Sequence, residues 1–299
     1  MVFGLLVIDK PAGLTSHDVV AAVRKGTRER RVGHAGTLDP LATGVLILAL
    51  GQATRLLEYV MGHDKVYQAE VTLGIETTTY DVDGEIVTRQ PLPDRLDHNL
   101  LEAVLAKYRG VITQKPPAYS ALKVGGKPAY ARARAGEQVE LTPRQVQIHR
   151  LELKRFDPPV IDLEVACSAG TYVRSLAHDL GMAMGCGAVL SALRRTASGG
   201  FSLDMAVPLV TLQQAFDAGN WKQFLLPVER ALVDMPHITL GAQEVDNVIH
   251  GIAVPWHDVA DGPACAFTPD GRFFAVLVGD PSEDLWRPRK VFAFLANPG

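Results

Sequence analysis

Between Gly33 and Gly44 the chain reads Gly-His-Ala-Gly-Thr-Leu-Asp-Pro-Leu-Ala-Thr-Gly, placing one histidine, one carboxylate, three glycines and one proline within twelve residues. Asp39 is the only carboxylate of the segment. An aspartate can act as a covalent nucleophile at carbon or as a base. The glycines let backbone approach a bulky partner closely. Just upstream, Arg24, Lys25, Arg28, Arg30 and Arg31 set five positive charges against one acid, Glu29, the side chains a phosphate backbone attracts. Taken alone, the same residues also fit an Asp-Pro turn, a surface histidine at position 34 and a solvated charged connector.

The elements that must hold this segment can be read on either side of it. An apolar run over residues 2–9 predicts a strand, and after the turn Ala12 to Thr15, Ser16 is a plausible N-cap for a helix to about Lys25. Val45 to Leu50 reads as a buried strand, and Lys65 to Leu73 alternates like a half-buried one. A helix is expected over 97–108, an ordered loop or hairpin over Lys115 to Tyr130, strands at Gln145–Phe156 and Val160–Cys167, and a helix over Thr171–Met184. Without a regular beta-alpha-beta repeat, the pattern predicts an α+β fold with a largely antiparallel sheet. A helical connector over 211–232 leads to a tail, from about 235, of short strands with turns at Asp261-Gly262, Pro269-Asp270-Gly271 and Gly279-Asp280-Pro281.

With 299 residues, 47% hydrophobic and 21% charged, the composition is that of a folded globular chain with room for a large and a small domain. No stretch reaches the roughly 18 apolar residues of a membrane span, and a cytoplasmic protein is expected. The three cysteines, Cys167, Cys186 and Cys265, lie far apart, without a Cys/His cluster of ligand spacing, so neither a structural metal nor a disulfide framework is expected. The net charge of -3 is unevenly spread: residues 1–150 carry 19 basic and 16 acidic side chains, residues 151–299 carry 11 and 17. A basic face on the first half is therefore compatible with a nucleic-acid partner.

The segment resembles the catalytic signature of the TruB-type tRNA pseudouridine synthases, in register through Leu50-Gly51-Gln52-Ala53-Thr54-Arg55. Similar blocks follow in family order: Asp9-Lys10-Pro11 with Gly13 and Ser16, Asp64-Lys65-Val66-Tyr67 with Leu73-Gly74, and Asp81-Val82-Asp83-Gly84. Later come Lys115 to Lys123, Gly170-Thr171-Tyr172-Val173-Arg174-Ser175-Leu176 and Leu193-Arg194-Arg195-Thr196. Departures are Ala35 where threonine is common, Arg55 for lysine, Thr78 for aspartate and His178 for arginine.

The resemblance implies a pseudouridine synthase fold, with a mixed, largely antiparallel sheet flanked by helices over 1–234 and a small β-rich, PUA-like RNA-binding domain over 235–299. It implies isomerisation of the tRNA T-loop uridine, position 55, by base flipping and an Asp39-dependent step without cofactor or metal. Attack at the ribose, attack at the base and proton abstraction all stay open. It assigns Arg174 to pair with Asp39, Tyr67 to stack on the flipped base, His34 to fill the vacated stack, and Tyr172 and Leu193 to line the pocket. Arg24, Lys25, Arg28, Arg30, Arg31, Arg55 and Asp81 are implied RNA contacts. The implied partner is tRNA, held at the T-arm and, through the tail, at the acceptor stem, by a monomer without guide RNA. A glycoside-type hydrolase would need a second carboxylate that the signature lacks, and a pure RNA binder has no use for Asp39, which repels phosphate.

Overall fold

The computed structural model describes residues 2–120, 122–124, 126–129, 132, 137, 141–255, 262–292 and 294. Phe3–Lys10 and Thr43–Gly51 run antiparallel, from Phe3 opposite Gly51 to Lys10 opposite Gly44. Side chains alternate across a strand, and here both sets are apolar and buried. Leu6, Ile8, Leu46, Leu48 and Leu50 enter the main core, whereas Leu5, Val7, Val45, Ile47 and Ala49 enter a second one. The helix Ser16–Thr27 lays Val19, Val20 and Val23 onto the main core. Its cap is Thr15, one residue before the expected Ser16: Thr15 and Asp18 form a capping box. The Ser16 hydroxyl is turned instead to the backbone of Leu38.

The large sheet has ten strands, eight of them in the order Val207–Pro208, Phe3–Lys10, Thr43–Gly51, Ala188–Ser198, Lys65–Leu73, Val160–Cys167, Arg144–Asp157 and Gly110–Gln114. Most neighbours are antiparallel. Thr43–Gly51 and Ala188–Ser198 instead meet in parallel, through only Arg194 opposite Thr43 and Arg195 opposite Gly44. Ala188–Ser198 is a strand the sequence pattern hides: shifts at Leu190/Ala192 and Arg195/Ala197 interrupt its period of two. Two helices, His98–Ala106 and Val173–Met184, contribute Leu101, Leu105, Leu176 and Leu180 to the main core beneath this half of the sheet. Over 115–130 the described residues include a small hairpin, Lys123–Val124 with Lys127–Pro128; residues 121, 125 and 130 lie outside them.

The expected connector over 211–232 is not one helix. It is the helix Leu209–Asp217 followed by two short 3-10 turns, Trp221–Phe224 and Val228–Ala231, interrupted by Gly219 and Pro227. Beyond it lies a five-stranded sheet in the order His237–Thr239, Pro263–Phe267, Phe273–Asp280, Leu285–Val291 and Val254–Pro255, with a helix at Ala242–Ile249. Cys265, Phe273, Val276 and Phe292 from this region share one core with Leu5, Val7, Val45 and Ile47 of the large sheet. The seam is fastened by an ion pair between Lys290 and Glu58 and by Phe3 packed on Phe292 with ring centroids 5.2 Å apart.

Candidate active site

The signature is built as strand, loop, strand. Val32–Ala35 pairs with Thr43–Gly51, from Val32 opposite Leu50 to Ala35 opposite Ile47, so the expected loop begins only at Gly36. Gly36 has φ +82°, a conformation glycine adopts without strain. Buried side chains hold the loop by its backbone. Arg195 donates from Nε to the Val45 carbonyl (2.7 Å) and from Nη2 to that of Gly36 (3.1 Å). Ser16 Oγ donates to the Leu38 carbonyl and accepts from the Leu38 N–H at 2.8 Å. The fully buried Lys10 ammonium donates to the carbonyls of Pro11, Leu14 and Pro40. Burial lowers its pKa to about 8, against the opposing pull of the Asp39 charge. At Gly44, φ is +98° and an added Cβ would stand 2.2 Å from the Arg195 carbonyl oxygen, so only glycine permits the close parallel join.

Asp39 leaves this loop toward Arg174, in the first turn of the helix Val173–Met184. Arg174 Nη2 donates to Asp39 Oδ1 at 3.1 Å. Its Nε lies 2.9 Å from Oδ2 as an ion pair, without the alignment of a hydrogen bond. The same guanidinium donates to the carbonyls of Thr79 and Tyr119 and pairs with Asp81 Oδ2 at 3.4 Å. Asp81 is thus a buried second carboxylate behind Arg174, 4% exposed; that position and pairing differ from the RNA contact expected of it. Burial is the largest influence on Asp39 and raises its pKa above the ordinary carboxylate value; Arg174 acts against it. A carboxylate that is less solvated yet fixed by a cation is poised for chemistry at carbon or for proton transfer.

Asp39, Tyr67, Tyr172, Arg174 and Leu193, far apart in sequence, line one cavity of about 400 Å³. Tyr67 and Leu193 come from adjacent strands, Lys65–Leu73 and Ala188–Ser198. Each also touches the main core, and burial raises the Tyr67 phenol pKa. Tyr172 is fixed through its backbone: its N–H donates to Gln114 Oε1 and its carbonyl accepts from Gln114 Nε2, at 2.8 and 2.9 Å. His34 is not among the lining residues; its ring packs edge-on against His17 at 5.4 Å. Arg24, Lys25, Arg28, Arg30 and Arg31 are exposed, with Arg24 donating to the Val32 carbonyl. Arg55, expected as an RNA contact, is exposed; it donates from Nη1 to the Val291 carbonyl at 2.9 Å and lies over the Phe292 ring, so it also fastens the C-terminal seam.

The sequence pattern assigns no site role to Lys10, Gln114 and Arg195, and it gives Ser16 a different one, the helix N-cap. For Lys10, Gln114 and Arg195 the signal was present: charged or amide side chains within strands, which fold buried only when hydrogen-bonded. Among the described residues no three His, Cys, Asp or Glu side chains converge as a metal site requires, the three cysteines are free and buried, and no helix is long and apolar enough to cross a membrane.

The N-terminal-domain model of the TruB family pseudouridylate synthases matches residues 24–173, a span that holds Asp39, Tyr67 and Tyr172. The C-terminal-domain model of tRNA pseudouridylate synthase B matches residues 174–233. Proteins named tRNA pseudouridine synthase B from Thermobifida fusca and a Synechococcus strain are 45% and 46% identical, over 92% and 97% of this chain and 94% and 97% of theirs. The fold also matches a chain in a crystal structure of a Cbf5-Nop10-Gar1 complex, with a TM-score of 0.75, 27% identity, and coverage of 97% of this chain and 85% of that one. With family models spanning both sides of the Asp39–Arg174 pair and relatives at this identity over nearly the whole length, the chain belongs to the TruB family of pseudouridylate synthases.

Proposed function

We propose that this chain isomerises the T-loop uridine of tRNA, position 55, to pseudouridine, with Asp39 as the essential carboxylate. The observation that carries the reading is Asp39 on the wall of an approximately 400 Å³ cavity, held by a guanidinium that is itself 5% exposed. Isomerising a uridine requires cleaving the glycosidic bond, turning the base and rejoining it through carbon, so neither a redox group nor an energy source enters. The base must leave the T-loop stack, and extruded bases are held by aromatic faces and edge hydrogen bonds. Tyr67 supplies such a face, Leu193 and Tyr172 close the walls, and Arg174 keeps Asp39 oriented. His34, outside the cavity and beside His17, is suited to the space the base leaves behind. The exposed Lys25, Arg28, Arg30 and Arg31 supply the phosphate contacts of the T-arm.

In this reading residues 1–234 carry the chemistry. Residues 235–299 act as a PUA-like RNA-binding unit toward the acceptor stem, and the enzyme works in the cytoplasm as a monomer, without cofactor, metal or guide RNA. The test is incubation with an unmodified T-arm stem-loop and no guide RNA, followed by mapping of pseudouridine at single-nucleotide resolution. Asp39→Asn should abolish product while leaving RNA affinity within a few-fold, because volume is kept and only the charge and its chemistry are lost. Turnover of the variant above about a tenth of wild type would refute the assignment.

A further inference from the structure

Four cationic side chains line the cavity among the described residues, Lys65, Arg144, Arg174 and Arg195, against the single carboxylate of Asp39. Three of them are committed to the protein. Arg174 holds Asp39, Asp81 and two carbonyls. Arg195 holds two carbonyls of the signature segment. Lys65 donates to the carbonyls of Met61 and His63. Arg144 is different. It has no ion pair and one hydrogen bond among the described residues, from Nη2 to the Gly170 carbonyl; its Nε, like that of Arg174, is buried without a hydrogen-bond partner there.

The guanidinium is also packed on two sides. It stands 4.9 Å over the ring of Tyr172, and an added Cβ at Gly170, where φ is +86°, would touch it at 3.4 Å. Arg144 begins its strand opposite Gln114, the residue that grips the Tyr172 backbone. The side chain is therefore pre-oriented beside the cavity, part-exposed, with guanidinium N–H groups beyond the one given to Gly170 that an incoming acceptor can meet. A base edge offers one or two acceptors. A phosphodiester offers two charged oxygens, whose geometry the guanidinium fork matches.

We propose that Arg144 is a further substrate-binding residue that takes a non-bridging oxygen of a phosphate flanking the flipped uridine. The inference rests on the reading of this chain as an RNA pseudouridine synthase. The nucleotide swings into the cavity with its phosphates attached, and the cation meets the backbone at the mouth while Asp39 meets the nucleoside.

The experiment is a double-mutant cycle between protein and substrate. Wild type and Arg144→Gln are each assayed on three T-arm stem-loops: unmodified, and carrying one neutral methylphosphonate either 5′ or 3′ of the target uridine. Wild type must form pseudouridine on the unmodified stem-loop; if it does not, the parent reading fails and not this one. Arg144→Gln should raise KM about tenfold with kcat within a few-fold, because the contact adds binding energy away from the reacting atoms. One of the two methylphosphonates should weaken wild type by a similar factor and leave Arg144→Gln unchanged, with Arg144→Lys in between because charge survives without the fork. Equal losses for wild type and variant on both modified substrates would overturn the proposal, as would a fall in kcat alone, the sign of a residue that only shapes the Gly170–Tyr172 turn.

Discussion

The two halves of the large sheet are buried in different ways. Along Phe3–Lys10 and Thr43–Gly51, nearly every side chain is buried, those of one face in the main core and those of the other in a second core that Phe201, the connector residues Val228, Ala231 and Leu232, and the C-terminal region build together. Along Lys65–Leu73 and Val160–Cys167, buried residues alternate with more open ones. The open face of that half carries a lattice of ion pairs, such as Arg150 with Glu164 and Arg155 with Asp162. The halves join through only two residue pairs, Thr43/Arg194 and Gly44/Arg195, and the cavity lies at that junction. Asp39 comes from the loop that feeds the doubly buried half. Tyr67, Arg174 and Asp81 belong to the other. The contrast teaches that the C-terminal region is more than an attachment: together with Phe201 and the connector residues Val228, Ala231 and Leu232 it covers the second face of the strand pair that frames the Asp39 loop.

Removing residues 235–299 is the severest way to break this picture. It would strip Phe3 of Phe292 and take Cys265, Phe273, Val276 and Phe292 out of the core that Leu5, Val7, Val45, Ile47 and Ala49 share with Phe201, Val228, Ala231 and Leu232, opening apolar surface of the kind soluble monomers avoid. The expected result is a truncated chain that aggregates or lacks a cooperative thermal transition by calorimetry. A soluble truncation that melts near the full chain and modifies a T-arm stem-loop at the full rate would show that the tail is an independent appendage.

A milder comparison places one substitution on each half. Ile47, fully buried at the seam, should cost about 2–5 kcal/mol when cut to alanine, as transfer and cavity terms add. Glu164→Ala removes a carboxylate that pairs with a half-exposed Arg150, and exposed pairs of this kind contribute about 1 kcal/mol or less. Urea unfolding of both variants checks the difference; comparable losses would mean that the charged face bears as much of the stability as the seam.

What was legible in the sequence follows the same division. Lys65–Leu73 and Val160–Cys167 stand where their alternation placed them, because a sheet covered on one face writes a period of two into the chain. The doubly buried strands were recognisable as strands, but a continuous apolar run does not reveal what covers its second face. The seam, and Arg55's place in it, therefore stayed hidden. Ala188–Ser198 escaped because two register shifts and the buried Arg195 break its pattern. The helix Ala242–Ile249 stands in a tail read as short strands and turns only. In the candidate site, Asp39 was visible from its glycine-rich setting. Its contact with Arg174 spans 135 positions, and no local spacing encodes it; only the family resemblance joined the two.

The smallest expected effect concerns the ion pair that crosses the junction. Burial raises the pKa of Asp39 and Arg174 opposes that rise, so Arg174→Gln should raise it further. Protonated Asp39 can act neither as nucleophile nor as base, so the acid limb of kcat/KM, which reports the free enzyme, should move to higher pH. For stability the sign is separate. A carboxyl whose folded pKa lies above its unfolded one favours the fold fully below the unfolded pKa and loses that contribution as pH rises through the folded value. Ionised Asp39 is therefore a mild liability to the fold near neutrality. When Arg174 is lost, Asp39 can take up a proton in place of remaining an unpaired charge, which limits the damage to the fold. Arg174→Lys should return the limb part of the way, since charge is kept and the two-point grip is not. Rate profiles on a T-arm stem-loop from about pH 5 to 9, beside melting temperatures of the same variants, separate the outcomes. An unmoved acid limb in Arg174→Gln would mean that the guanidinium does not control the ionisation of Asp39; a moved limb with a collapsed melting temperature would mean that this one pair also holds the two halves of the sheet together.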